Sequence, residues 1–225
     1  MIKETYHFLR RAPGVMKRQK ALGPVEFFKD FTKRVDADGF GELRASLVDG
    51  LEGHILEIGA GTGATFPYYE NAARVTAIEP SRAFQEAALE TAKNANANIQ
   101  VVPATGEHLP FANATFDAVS VCTVLCSVAS PSKTLAEFKR VLRPGGKVHL
   151  VEHVRSEDWL AGPLLDLLNP FWLRINKMGC NWNRKTVEEV RAAGLTIRSI
   201  ESSKIYSNAS PVAFPLRVIK AEYTL

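Results

Sequence analysis

The chain has few cysteines and no long apolar run, and each absence excludes a class of protein. Three cysteines occur in 225 residues, Cys122, Cys126 and Cys180, which is too few for the disulfide framework of a small secreted domain. They also lack the CxxC or histidine spacing of a zinc site, so we expect no bound metal. No uninterrupted apolar stretch of about eighteen residues is present, so we expect no membrane span.

The amino-terminal residues are basic. The opening MIKETYHFLRRAPG has no apolar core of signal-peptide length, which together with the scarce cysteines indicates a cytoplasmic protein. Residues 1–34 hold nine Lys and Arg against three Asp and Glu. An arm of this kind is usually a solvated helix face, although it can also lie on an anionic membrane or on nucleic acid. We expect a small-molecule partner and no nucleic acid, and peripheral membrane contact stays open.

Short apolar runs alternate with segments of helical spacing along the chain. Strands are predicted at residues 54–58, 74–79, 99–102, 116–122, 147–154, 195–202 and 212–223. Helices are predicted at 15–49 (broken at Gly23-Pro24 and near Asp38-Gly39), from Ser81 to about Asn94, from Ser130 to Arg143, at 159–178 and at 184–193. Ser81 is expected to cap the helix that follows it. This alternation predicts an α/β fold with a mostly parallel sheet covered by helices on both faces. No repeat, low-complexity tract or Ser/Gly linker divides the chain, so one domain spanning residues 1–225 is predicted.

In such a sheet, ligands bind beyond the carboxyl ends of the strands. One rim therefore gathers the residues that follow the strands: 57–63, Glu79, 105–107, 122–127 and 152–153. We expect the chemistry of the protein to lie there.

The first strand ends in a glycine-rich loop, Glu57-Ile58-Gly59-Ala60-Gly61-Thr62-Gly63. Glycines allow a tight turn and let a ligand approach the backbone. A tight turn without a ligand is one interpretation, and the pattern GxGxx(G/A) also fits a dinucleotide site. Glu79, which ends the second strand, is suitably placed to accept hydrogen bonds from ribose hydroxyls. These features together indicate an adenosine-containing cofactor without identifying it.

The wider pattern resembles the class I S-adenosylmethionine-dependent methyltransferases. Their first motif is matched by ExGxGxG, beginning at Glu57, and later landmarks by residues 104–111 (ATGEHLPF), Phe116-Asp117 and residues 140–146 (RVLRPGG). The resemblance implies a Rossmann-like sheet of seven strands, the last antiparallel, and S-adenosyl-L-methionine as the cofactor. It divides the domain into a helical cap (1–49), a cofactor-binding core (50–155) and acceptor-side helices with the final strands (156–225).

Carried over residue by residue, the resemblance implies a set of cofactor-binding positions. An acidic residue beside the glycines would repel a pyrophosphate but can hold the ammonium of the methionine moiety. The usual acidic residue on the adenine side is replaced here by Thr105, so adenine recognition is expected to use backbone groups there. The implied positions are Glu57, Gly59, Ala60, Gly61, Thr62, Gly63, Glu79, Pro80, Ser81, Thr105, Gly106, Glu107, Cys122 and Thr123.

Three further strings are similar to a bacterial group related to the mammalian methyltransferase-like thiol S-methyltransferases. They are residues 124–128 (VLCSV), 152–156 (EHVRS) and 179–184 (GCNWNR). The resemblance implies methyl transfer to a small apolar acceptor, with a thiol first and a quinone- or lipid-like molecule second. An enzyme that uses nicotinamide and a non-catalytic cofactor-binding module are the alternatives from other classes.

Two residues are candidates for the chemistry on the acceptor side. His153 ends the fifth strand and could act as a base, although a packed histidine bonded to a carbonyl is an equal interpretation. Cys126 could line the acceptor pocket or be a small buried hydrophobe. Cys180 and Asn181 belong either to a segment that covers the pocket or to a structural turn. The apolar residues 159–178 form either an ordinary packed helix or a lid over an apolar pocket, one that could also touch a membrane.

Overall fold

A computed structural model of the chain describes residues 14–15, 17–70, 74–175, 179–207 and 214–224. Its strands are β1 His54–Ile58, β2 Arg74–Ile78, β3 Ile99–Val102, β4 Phe116–Cys122, β5 Leu142–His153, β6 Thr196–Ile205 and β7 Phe214–Glu222. Its helices are α1 Pro24–Val35, α2 Gly41–Val48, α3 Arg82–Ala92, α4 Pro131–Val141, α5 Ala161–Ile175 and α6 Thr186–Ala192. Parts of three predicted segments lie outside the described residues: 1–13, 176–178 and 208–213.

The strands form one sheet in the order β3-β2-β1-β4-β5-β7-β6. The strands from β3 to β5 pair in parallel, whereas β7 runs antiparallel to both β5 and β6. The predicted fold class is confirmed. The chain order reverses between β1 and β4, and a parallel sheet binds its ligands at such a switch point, outside the carboxyl ends of the strands.

The core consists of two apolar layers, one on each face of the sheet. Side chains alternate between the faces of a strand, so Leu56 and Ile58 join the layer under α4 while Ile55 joins the other. Phe138 of α4 and Leu47 of α2 are almost completely buried against these layers. Burying one such side chain contributes about 1.5–3 kcal/mol, so the two layers hold the rim rigidly.

The amino-terminal helices break where glycine occurs. Gly23 precedes α1 with φ 74°, and Gly39 has φ 109° within a π-helical turn, Asp36–Phe40, that joins α1 to α2. Both values lie in the left-handed region that favours glycine. The two predicted breaks are confirmed.

Three local predictions need correction. The fifth strand begins at Leu142 instead of residue 147, because Leu142 already pairs with Phe116 before the register shifts at a bulge. The third helix ends at Ala92 and not near Asn94. Ser81 occupies the position before that helix, but its side chain accepts no capping hydrogen bond.

Candidate cofactor and acceptor site

The glycine loop is shaped by two residues that approach it from outside. Gly59 and Gly61 have φ 68° and 56°. A Cβ on Gly59 would lie 2.6 Å from Val124 after β4, and one on Gly61 would lie 3.0 Å from the ring of Phe28 on α1. Any larger residue would therefore be strained by its backbone and by its neighbour. The loop therefore packs closely against α1 on one side and against the residues after β4 on the other.

Glu79 organises this loop. Its Oε2 accepts a hydrogen bond from Gly61 N at 3.0 Å, and its Oε1 accepts one from Ser81 N at 2.9 Å. Burial raises the pKa of Glu79, and these two backbone bonds oppose the increase. An ionised carboxylate has about four acceptor positions, so two remain for ribose hydroxyls. Glu79 therefore joins the two segments that would flank the ribose.

Glu57 is a buried carboxylate with an unused oxygen. Only 3% of the residue is exposed, and Oε2 has no hydrogen-bond partner among the described residues. Burial raises the pKa of Glu57 to about 7, while hydrogen bonds with Tyr69 and Thr65 and the charge of Arg44 act to lower it. A buried acceptor without a partner is costly, and a cation beside it would remove that cost. The arrangement fits the ammonium group of a methionine moiety.

Arg44 of α2 joins the same cluster, although the sequence analysis did not single it out. Its Nε donates to Asp36 Oδ1 at 2.9 Å, and its Nη1 lies 3.3 Å from Thr65 Oγ1 and 3.2 Å from Cys122 Sγ. The guanidinium carbon lies 4.8 Å from the centroid of the Phe40 ring. The sequence carried no signal for this role, because the packing of α2 is what brings Arg44 to Thr65 and Cys122.

The end of β4 combines a partly buried thiol, Cys122, with a strained backbone at Thr123. Burial raises the pKa of the Cys122 thiol to about 12, although Arg44 acts in the opposite direction. Thr123 has φ 56°, which is unusual for a β-branched residue and is found mostly where function demands it. Its N donates to Val151 O at 2.7 Å. The backbone is thus turned sharply where β4 reaches the rim.

The segment after β3 is folded against the start of α4. Glu107 Oε1 accepts hydrogen bonds from Ala129 N at 2.8 Å and Ser130 N at 3.2 Å. Partial burial acts to raise the pKa of Glu107, but these backbone bonds and the Thr105 hydroxyl outweigh it, and the pKa is lowered. Gly106 packs closely, since a Cβ there would lie 2.9 Å from Thr134. The Glu107 carboxylate is therefore engaged, which leaves backbone groups to contact an adenine.

Glu152 sets the shape of the β4 loop, which we define as residues 123–128. This fully buried residue accepts hydrogen bonds from Val124 N at 2.8 Å and Leu125 N at 2.9 Å through Oε1, and from Cys126 N at 3.4 Å through Oε2. Burial and then the nearby Cys126 raise the pKa of Glu152 well above its usual range, against these bonds. The sequence placed Glu152 on the rim but did not reveal this anchoring role.

His153, Cys126 and Cys180 meet beyond the end of β5. Cys180 Sγ lies 3.4 Å from His153 Nδ1, and interaction with Cys180, followed by burial, raises the pKa of the Cys126 thiol well above its usual range. Burial lowers the pKa of His153 to about 4, so its ring is neutral at pH 7. Cys126 is only 1% exposed, and its Sγ lies 3.5 Å from Thr123 O. The structure brings the two predicted catalytic candidates together; their roles stay predictions.

The segment 179–184 is a joint between the β4 loop and α5. Asn181 donates from N and Nδ2 to Cys126 O at 2.8 and 2.9 Å, and its Oδ1 accepts from Asn169 Nδ2 at 3.1 Å. Trp172 of α5 stacks on Trp182 with ring centroids 4.0 Å apart. These contacts place one side of α5 against the joint.

The described parts of the chain contain neither a cluster of metal ligands nor a membrane-spanning helix. Within them, no three His, Cys, Asp or Glu side chains are grouped so that they could hold a metal ion. Among the same residues, none of the helices has the length and apolar character needed to cross a bilayer.

Several known proteins resemble this chain in sequence or in fold. Residues 56–150 match the family model of a methyltransferase domain. Thiol S-methyltransferase TMT1B of Rattus norvegicus is 38% identical over 145 residues, which cover 62% of this chain and 58% of the relative. Human thiol S-methyltransferase TMT1A is 34% identical over 158 residues, covering 66% and 63%. A demethylmenaquinone methyltransferase of Renibacterium salmoninarum is 35% identical over 99 residues, covering 44% and 40%.

The chain thus spans about three-fifths of the length of the thiol S-methyltransferases that it matches. Among solved structures, a geranyl diphosphate methyltransferase in complex with SAM superimposes with a TM-score of 0.65 at 14% identity, covering 86% of this chain and 90% of the other. The [4+2]-cyclase SpnF has a TM-score of 0.63 at 19% identity, covering 84% and 81%. Such distant similarity shows the fold alone. The motifs, the seven-stranded sheet and the methyltransferase-domain match over residues 56–150 together support a class I S-adenosylmethionine-dependent methyltransferase.

Proposed function

We propose that this protein transfers a methyl group from S-adenosyl-L-methionine to a small apolar thiol. The observation that carries the cofactor half of the proposal is the buried, unused Oε2 of Glu57. Glu57 begins the glycine loop, and Glu79 accepts a hydrogen bond from Gly61 of the same loop. A pyrophosphate would be repelled by two buried carboxylates, whereas an ammonium and a ribose would satisfy both.

Each part of the cofactor has a proposed set of partners. The ribose hydroxyls would bind Glu79 beside Pro80 and Ser81, and the adenine would meet backbone groups of residues 105–107. The methionine moiety would lie between residues 59–63 and the Arg44 cluster, near Cys122 and Thr123. When bound, the cofactor supplies the electrophilic methyl group; the protein supplies alignment, which can contribute about 7–11 kcal/mol.

A thiol acceptor suits the groups found beyond β5. A thiol with a pKa of roughly 8.5 is already a few per cent thiolate at pH 7, and its negative charge is neutralised as the methyl group moves from a sulfonium. A dry site therefore favours the reaction without a strong base. His153 is neutral but, with a pKa of about 4, is a weak base. The relatives named as thiol S-methyltransferases support the same acceptor class.

A quinone-like acceptor is the second candidate, supported by the demethylmenaquinone methyltransferase among the relatives and by an apolar face on α5. This face, defined as Trp159 and Leu160 just before α5 and Leu164, Leu167, Leu168 and Phe171 on it, is exposed, with Leu167 76% and Phe171 62% accessible. The polar residues of α5 point elsewhere: Asp166 pairs with Arg155 at 2.7 Å, and Asn169 is bonded to Asn181.

We propose that the apolar face rests on an anionic lipid surface. The face carries no charge, begins at a tryptophan and is followed by Arg174, which is the pattern of an interfacial helix; the nine basic residues within 1–34 add attraction to anionic lipid. The protein should sediment with phosphatidylglycerol vesicles, and Leu167→Glu combined with Phe171→Glu should abolish this. The control is Leu89→Glu, at a leucine that is 49% exposed on α3. Equal binding by both variants would contradict the proposal.

The methyl-transfer proposal is tested in two steps. Calorimetric titration with S-adenosylhomocysteine should show binding, whereas NADP should show none; the reverse result would identify an oxidoreductase. Turnover is then compared for thiophenol and phenol, which differ in the acceptor atom. Methylation of thiophenol only is expected. Binding of S-adenosylhomocysteine with no turnover of any acceptor would indicate a non-catalytic module.

A further inference from the structure

Two cysteines far apart in sequence are held together by their backbones. Asn181 N belongs to the peptide unit that Cys180 begins, and it donates to Cys126 O at 2.8 Å. The Asn181 side chain donates to the same oxygen at 2.9 Å. Trp172 Nε1 donates to Cys180 O at 2.9 Å, so the peptide unit between Cys180 and Asn181 is held through both its C=O and its N–H.

The side chains of these two cysteines also meet. Interaction with the Cys180 side chain, followed by burial, raises the pKa of the Cys126 thiol, and neither cysteine forms a disulfide. Cys180 is half-buried while Cys126 is buried, so a reagent in solution reaches Cys180 first. Disulfide formation requires Cα atoms a few ångströms apart, and the hydrogen bond from Asn181 N, the residue after Cys180, to Cys126 O holds the two main chains side by side.

We propose that Cys126 and Cys180 are a modification site at which a reversible disulfide joins the β4 loop to the segment 179–184. A low-molecular-weight disulfide is the oxidant. The Cys180 thiol loses its proton to water and its sulfur attacks the small disulfide, releasing one small thiol and leaving a mixed disulfide. The Cys126 thiol then loses its proton, its sulfur displaces the second small thiolate, and each released thiolate takes up one proton from water. Two protein thiols are oxidised, and one small disulfide is reduced to two thiols.

Cys122 provides a matched internal control. It lies at the end of β4 with Sγ 3.2 Å from Arg44 Nη1, and burial raises the pKa of its thiol to about 12. Its sulfur lies against the Arg44 guanidinium, whereas Cys126 and Cys180 lie on main chains that are hydrogen-bonded to each other. Of the three cysteines in the chain, it is the one expected to stay reduced in the folded protein.

The experiment treats the full chain with oxidised glutathione and counts thiols under denaturing conditions. Wild-type protein should fall from three thiols to one, lose two hydrogens in mass without gaining glutathione, and recover all thiols with dithiothreitol. Tryptic peptide 178–184 should become linked to the peptide that contains Cys126. Because the bond closes a long loop, the oxidised protein should also need more urea to unfold.

Variants separate the outcomes. Cys122→Ser should still form the disulfide, whereas Cys180→Ser should keep two thiols and form none. Cys126→Ser should end as a glutathione adduct on Cys180. Because Cys180 is half-buried, its variant tests the proposal even if the Cys126 variant fails to fold. A link through Cys122, or a wild-type protein that stops as the glutathione adduct, would overturn the proposal. None of these measurements depends on methyl transfer.

Discussion

Replacing Glu57 by glutamine is expected to stabilise the cofactor-free protein at pH 8 while weakening cofactor binding. Burial raises the pKa of Glu57 from 4.5 to about 7. A raised pKa means that the folded protein favours the protonated carboxyl. The associated stability is present below pH 4.5 and is lost as the pH rises through about 7. At 1.36 kcal/mol per pKa unit, the ionised carboxylate costs about 3 kcal/mol at pH 8.

Glutamine carries no charge, so this cost disappears in the variant. Urea unfolding of the cofactor-free protein should therefore show Glu57→Gln to be more stable by up to about 3 kcal/mol at pH 8, with a much smaller difference at pH 5. The same change removes a charged acceptor worth about 1.5–3 kcal/mol to the bound ammonium. The dissociation constant for S-adenosylhomocysteine should rise about ten- to hundredfold.

The matched control is Glu42→Gln, at an exposed glutamate on α2, which should change neither quantity. Wild-type affinity for the cofactor should itself increase from pH 6 to pH 8, because ionised Glu57 binds the ammonium, and this slope should vanish in Glu57→Gln. A variant that is less stable than wild type at pH 8, or that keeps full affinity, would refute the assignment of Glu57 as the ammonium partner.

Three further substitutions test other parts of the site. Glu79→Ala should raise the cofactor dissociation constant at least tenfold, and unchanged affinity in a folded variant would remove Glu79 from the site. The same change should lower the free energy of unfolding by about 1–3 kcal/mol, because Gly61 N and Ser81 N lose their acceptor. His153→Ala should reduce turnover of an acidic aryl thiol less than about tenfold, whereas a general base would cost 10²–10⁴. Asn181→Ala should destabilise the protein by about 1–3 kcal/mol in urea unfolding, since its amide joins Cys126 O to Asn169; an unaffected midpoint would show that the joint is held by other contacts.

The sequence predicted the sheet because its strands are short apolar runs bounded by glycine or proline, and that signal is local. It could not locate the start of β5, because the pairing of Leu142 with Phe116 depends on a bulge between strands distant in sequence. Nor could it show that the Ser81 side chain accepts no capping hydrogen bond from α3, because a side-chain rotamer is set by its surroundings in the folded protein. The division into cap, core and acceptor side stays a prediction.

The candidate site also has one part that the sequence predicted and another that it could not predict. The glycine loop, Glu57 and Glu79 follow from a contiguous motif and its position after a strand. Arg44 and the anchoring role of Glu152 depend on which residues tertiary packing brings within 3.5 Å. The contact between Cys126 and Cys180 belongs to this second group, since a sequence separation of this size carries no geometric information.

Transfer of a labelled methyl group tests the central claim most directly. The wild-type protein is incubated with methyl-labelled S-adenosyl-L-methionine and an equimolar mixture of an aryl thiol, a phenol, an amine and a quinol, and the labelled product is identified by chromatography. We expect the label in the methyl thioether formed from the aryl thiol. Label only in the amine or quinol product would contradict the thiol assignment, and no label in any product would contradict methyl transfer to this class of acceptor.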